Sequence, residues 1–154
     1  MERNHIRSCF VHLRLICNCI FCPYNEIIII VFIEIISETV LNVKIELHGE
    51  WNYCGGDELQ IHLIQGAREC KTNLIYDTTL GETYLFGLGT CKGTAFHVDN
   101  PTMNFKMITT TYDDFCPKFL TIYMNGGAKF KSSQMNHWHD YQENDDLFTA
   151  NKKT

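Results

Sequence analysis

From Val40 onward the chain alternates apolar and polar residues in short runs. "LNVKIEL" sets Leu41, Val43, Ile45 and Leu47 on one face, and "ELQIHLI" does the same with Leu59, Ile61 and Leu63. That period of two predicts half-buried strands. "TNLIYD", "TYLFGL" and "TAFHV" are shorter candidates, and "NFKMITT" aligns Phe105, Met107 and Thr109. "KFLTIYM" is apolar on both faces, Phe119, Thr121 and Tyr123 against Leu120, Ile122 and Met124. That pattern predicts a central strand covered on each side. Turn formers separate the runs: Cys54-Gly55-Gly56-Asp57, Gly81, Asp99-Asn100-Pro101, Asp113-Asp114 and Asn125-Gly126-Gly127. No segment of the body holds a helical period, so the pattern predicts an all-β sandwich or barrel.

The first forty residues differ. Ile27–Ile36 is an apolar run broken by Glu34. It is shorter than the roughly 20 residues of a membrane-crossing helix and long enough for the core of a secretory signal. Arg3, Arg7 and Arg14 supply a basic flank. Residues 1–39 therefore read as a hydrophobic leader, either an export signal or a start set too early in gene modelling. The bland alternative for Ile27–Ile36 is a buried strand. The folded body is expected over residues 40–150, with 151–154 as a frayed tail.

Composition narrows the function classes. The chain has 154 residues, 45% hydrophobic and 20% charged, enough for one domain with a core. A formal net charge of −5 argues against nucleic-acid binding. Of eight cysteines, four crowd the leader and four are spread through the body: Cys54, Cys70, Cys91 and Cys116. The body set points to two disulfides in an oxidising, extracellular setting. Their pairing is open at this point, and four buried thiols in a cytosolic protein is the alternative. "CNCIFC" lacks the spacing of zinc knuckles.

The stretch "GEWNYCGGDELQIHLIQG" brings a family into view. Gly49, Gly56, Asp57, Ile61, Leu63 and Gly66 resemble the opening of the PLAT, or lipoxygenase homology, domain. Asp113, Pro117, Phe119, Phe130 and Trp138 follow in the order of its second half. Departures are His48 where the family prefers Thr, Glu50 in place of its Asp, and no Thr between Gly56 and Asp57. The resemblance spans about 110 residues and is carried by order and spacing. It implies an antiparallel β-sandwich of two four-stranded sheets. It also implies a non-catalytic module that docks on a lipid surface or a protein partner, with calcium as the candidate cofactor. In that fold the loops of Cys54 and Cys116 lie toward one end, which would pair them and leave Cys70 with Cys91.

The candidate sites follow. Glu50, Asp57, Asp113 and Asp114 lie on turns and are the candidate calcium oxygens. Trp51 and Tyr53 are the candidate lipid or partner anchors, because amphipathic rings suit interfaces. "HWHD", His137–Asp140, suggests a metal pair, but no third ligand is evident locally. The resemblance implies that Trp138 is a packing residue and the histidines are exposed flanks. "CGGD" lacks the grammar of a phosphate loop, and no nucleophile constellation assembles, so the chain reads as a non-enzyme. The alternative to a lipid-docking module is a small disulfide-stabilised secreted effector or inhibitor that binds a protein.

Overall fold

The computed structural model describes residues 17–21, 27–31, 36–49, 58–110 and 115–154, and of 17–21, 27–31 and Tyr141 the backbone only. The chain divides into two compact units, Met1–Ile35 and Ile36–Thr154. In the first, β1 (Cys17–Phe21) and β2 (Ile27–Val31) pair antiparallel, with Cys19 opposite Ile29. The β-branched residues of the apolar run suit a pleated strand.

The second unit is all-β. Its strands are β3 (Ser37–Leu47), β4 (Glu58–Gln65), β5 (Arg68–Lys71), β6 (Ile75–Tyr76), β7 (Thr83–Phe86) and β8 (Ala95–His97). β9 (Thr102–Ile108), β10 (Pro117–Met124), β11 (Lys129–Ser132) and β12 (Phe148–Lys153) complete it. Two single 3-10 turns, Gly89–Cys91 and Tyr141–Glu143, are the helical elements among the described residues. The strands join in one antiparallel path, β5-β4-β9-β12-β11-β10-β3-β7, with β6 beside β4 and β8 beside β3.

The path curls because every strand sends its apolar face to the same core. Leu59, Ile61 and Leu63 of β4 meet Val43 and Ile45 of β3, with Phe96, Phe105 and Phe130, all fully buried in one cluster. A flat sheet would leave that face in water. Curling hides it, at about 25 cal/mol for each Å² of apolar surface removed from solvent.

Curling also brings the two ends of the path together. The Asn73 amide, just past β5, donates to the Gly87 carbonyl, just past β7, at 2.7 Å. The Lys71 amide donates to Thr90 Oγ1 at 2.8 Å, and that hydroxyl donates back to the Lys71 carbonyl at 3.3 Å. One threonine side chain thus stands in for a neighbouring strand at the β5 edge. A disulfide joins Cys70 of β5 to Cys91 of the adjoining turn. Gly89 makes the approach possible: its φ is +53°, and a Cβ there would lie 2.5 Å from the Lys71 oxygen. Unpaired sheet edges template aggregation, and here the β5 edge is capped at Lys71 while the two ends of the path meet between Asn73 and Gly87.

Three expectations need correcting. Leu41 does not share the inward face of Val43, Ile45 and Leu47; it is 52% exposed, and Val40 is buried in its stead. The cause is a register shift: Tyr123 faces Asn42 but Met124 faces Val40, so Leu41 is the extra residue of a bulge. Residues 151–153, expected to fray, form the second half of β12, opposite Lys129–Lys131 of β11. The body begins at Ile36, ahead of the expected boundary, because Ser37–Thr39 already pair with β8.

Candidate functional site

Most of the anticipated site residues, Glu50, Trp51, Tyr53, Cys54, Asp57, Asp113 and Asp114, lie outside the described residues. Cys70 and Cys91 form the disulfide at the seam. Cys116 is buried and disulfide-bonded as well.

Two other places gather chemistry. The first is the outer face of β7, β3, β10, β11 and β12. Cross-strand partners there share a face, so the register reads as rows. One row runs Leu85, Lys44, Thr121, Lys131, Asn151. The next runs Asn42, Tyr123, Lys129, Lys153. Glu46 and Phe119 sit opposite each other one step along. The face therefore carries four lysines against one glutamate, and Lys44 pairs with that Glu46 at 3.1 Å. The aromatic side of β10 was expected to lie under a second layer. It is covered by lysine side chains instead: Lys131 Nζ lies 3.8 Å from the Phe119 ring centroid and Lys129 Nζ 5.3 Å from that of Tyr123. The negative face of an aromatic ring attracts an ammonium group, and the lysine stems cover apolar surface beside it. Leu85 at the rim is 65% exposed.

No family model matches the chain, and no curated protein matches it. The PLAT resemblance therefore stands on the residues quoted for it, and the sites stand on geometry.

The second place is the "HWHD" segment, where the expected burial is reversed. Trp138 is 46% exposed and His139 is fully buried. An isolated antiparallel bridge turns His139 inward: its amide donates to the Phe115 carbonyl, and the Phe115 amide donates to the His139 carbonyl, both at 2.8 Å. His139 Nε2 then sits 2.7 Å from the Met107 carbonyl of β9. The residue that the sequence reading lacked is Glu143. Its Oε2 lies 3.0 Å from His137 Nε2 and 3.8 Å from His139 Nδ1. Asp140 and Glu143 form a capping box over the turn Tyr141–Glu143: Asp140 Oδ1 accepts from the Gln142 amide at 2.7 Å, and Glu143 Oε2 accepts from the Asp140 amide at 3.3 Å. The Asp-x-x-Glu pattern at 140–143 was the signal that places this carboxylate. Burial holds His139 below the ordinary imidazole range, partly offset by its Met107 hydrogen bond and by Glu143.

A shallow depression of about 610 Å³ beside the seam is lined by Gln60, Lys71, Thr72, Asn73, Tyr76 and Thr90, among others. Its lining residues are mostly polar and, apart from Lys71, neutral. No helix among the described residues is long and apolar enough to cross a membrane.

Proposed function

We propose that the protein is a secreted, non-catalytic binding module of PLAT-like architecture that docks on an anionic lipid surface. The observation that carries this reading is the lysine and aromatic face. A chain of net charge −5 concentrates Lys44, Lys129, Lys131 and Lys153 on one side of one half of its sheet. Such a face complements anionic headgroups, each lysine contributing about 1 kcal/mol at the surface. Phe119, Tyr123 and exposed Leu85 add apolar contact beside the charges. Trp51 and Tyr53 are proposed as further anchors, and Glu50, Asp57, Asp113 and Asp114 as calcium oxygens that would assist docking.

The topology supports the two-sheet arrangement that the resemblance implies. The strands run in one continuous path, β5-β4-β9-β12-β11-β10-β3-β7, whose eight members would make two sheets of four if the curl parts them at β12. Phe148–Asn151 of β12 pairs with β9 and its Ala150–Lys153 with β11. The seam disulfide supports export, since such bonds persist in oxidising compartments.

Co-sedimentation with phosphatidylserine vesicles, with calcium and with chelator, tests the proposal. Wild type should pellet, and added salt should release it, because screening weakens surface attraction. The double variant Lys129→Gln, Lys131→Gln should partition about 30-fold less, the equivalent of about 2 kcal/mol. Equal partitioning of the two proteins would overturn the lysine face as the docking surface. Failure of wild type to bind in either condition would overturn the lipid reading and favour the effector that binds a protein.

A further inference from the structure

The geometry points to a zinc-binding site formed by His137, His139 and Glu143. One ligand atom from each residue lies within 4.8 Å of the others. The tautomer of His139 is fixed by its surroundings. A carbonyl only accepts, so the Nε2 facing the Met107 oxygen must carry the hydrogen. Nδ1 is then a bare lone pair. It is buried and makes no well-formed hydrogen bond, with the Asn144 side chain acting on the ring from nearby, and it faces Glu143 Oε2, which is also an acceptor, at 3.8 Å. Two acceptors aimed at each other need a cation or a proton between them.

His137 Nε2 completes the set. It is a buried atom that makes no well-formed hydrogen bond, although it lies 3.0 Å from the same carboxylate oxygen. A tetrahedral zinc with ligands at 2.0–2.2 Å holds its donors about 3.3 Å apart. The two distances to Glu143, 3.0 and 3.8 Å, lie on either side of that spacing, and the two imidazole nitrogens, up to 4.8 Å apart, would draw together on binding, a movement the part-exposed His137 can make. Two imidazoles and one carboxylate suit zinc and its neighbours in the first transition row, whereas calcium takes six to eight oxygens. Three protein donors leave the fourth position for water or for a group of another molecule.

The donors are held in place independently of any metal. The Met107 carbonyl orients one imidazole, as the outer partners of metal-bound histidines do. The capping box positions Glu143. The Phe148 ring packs against both imidazoles, with centroids at 5.9 and 6.0 Å. A bound ion would fasten the two histidines to the turn that carries Glu143.

Isothermal titration of the oxidised full chain with zinc chloride tests the site, with calcium chloride as control. His137→Gln and Glu143→Gln are the variants of choice, because both positions are part-exposed and glutamine preserves the capping box. Wild type should bind one more zinc than either variant, or bind that equivalent at least tenfold more tightly. Excess zinc should raise the thermal midpoint of wild type and leave that of the variants unmoved. This comparison separates the site from the leader cysteines, which the variants retain. No zinc bound by wild type, or zinc binding unchanged in both variants, would overturn the assignment.

Discussion

Single residues show where alternation along the chain stops being a guide. The faces of β4 and β9 follow the pattern: Leu59, Ile61, Leu63, Phe105, Met107 and Thr109 are all buried. In β3 the same rule fails at Leu41, because a bulge on one strand is set by its partner, and the partner lies far along the chain at Tyr123 and Met124. The histidine cluster failed for a related reason. "HWHD" suggested a shared face for two imidazoles, but the burial of His139 is fixed by a bridge to Phe115, and the third donor arrives with a separate turn. His62 permits a prediction at this scale. Burial and the charge of Lys71 push its pKa below the ordinary 6.5, with Lys106 adding to the effect and Glu69, 3.4 Å away, opposing it. The folded form thus keeps His62 neutral where the unfolded chain takes up a proton. Stability is then full above the unfolded value and is lost as pH falls through it. Urea midpoints should decline between about pH 7 and about pH 5, and His62→Gln should flatten that decline. An identical decline in the variant would clear His62 of the effect.

At the scale of elements, what was legible tracks how many apolar residues each strand buries. β3, β4, β9 and β10 bury three or more hydrophobic side chains apiece and stand out in the sequence. β5 buries only Cys70 and β12 only Ala150, and β11 hides Phe130 between two lysines. One buried residue makes no period, and these strands lie in polar runs, so they were invisible without their neighbours; β7 and β8, which also bury one hydrophobic residue each, were legible from the apolar runs around them. The seam between β5 and the turn Gly89–Cys91 is equally silent, since it rests on a side chain mimicking a backbone. Thr90→Val tests it. The change keeps the shape and removes the hydroxyl that serves both the amide and the carbonyl of Lys71. The edge is exposed, so water replaces part of the loss, and unfolding in denaturant should show a cost of about 1 kcal/mol. Reducing the Cys70–Cys91 bond, which closes a loop with a sequence separation of 21, should remove about 3 kcal/mol more. A Thr90→Val protein as stable as wild type would mean that the hydroxyl adds nothing to edge closure.

For the whole molecule, a net charge of −5 concealed a positive face. Lys44, Lys129, Lys131 and Lys153 are far apart in the chain, and only the antiparallel registers of β3, β10, β11 and β12 align them. The same registers give β12 an importance that its polar sequence hides. Among the described pairings it alone links β9 to β11, and so the β5-β4-β9 strands to the β11-β10-β3-β7 strands. Its Ala150 is fully buried, and its Phe148 stacks on Phe105 with centroids 5.5 Å apart. Without β12, the ladders on both sides lose a partner and the core opens between Phe105 and Phe130. Edge amides and apolar surface would be exposed together, each unmade buried hydrogen bond at a cost of about 1–3 kcal/mol. A domain of this size has about 5–15 kcal/mol of stability in total. A chain ending at Leu147 should therefore lose its cooperative thermal transition by circular dichroism. A chain lacking only Thr154, which lies beyond the strand, should melt as wild type does. A cooperative transition retained in the Leu147 truncation would show that the two halves hold together without their bridging strand.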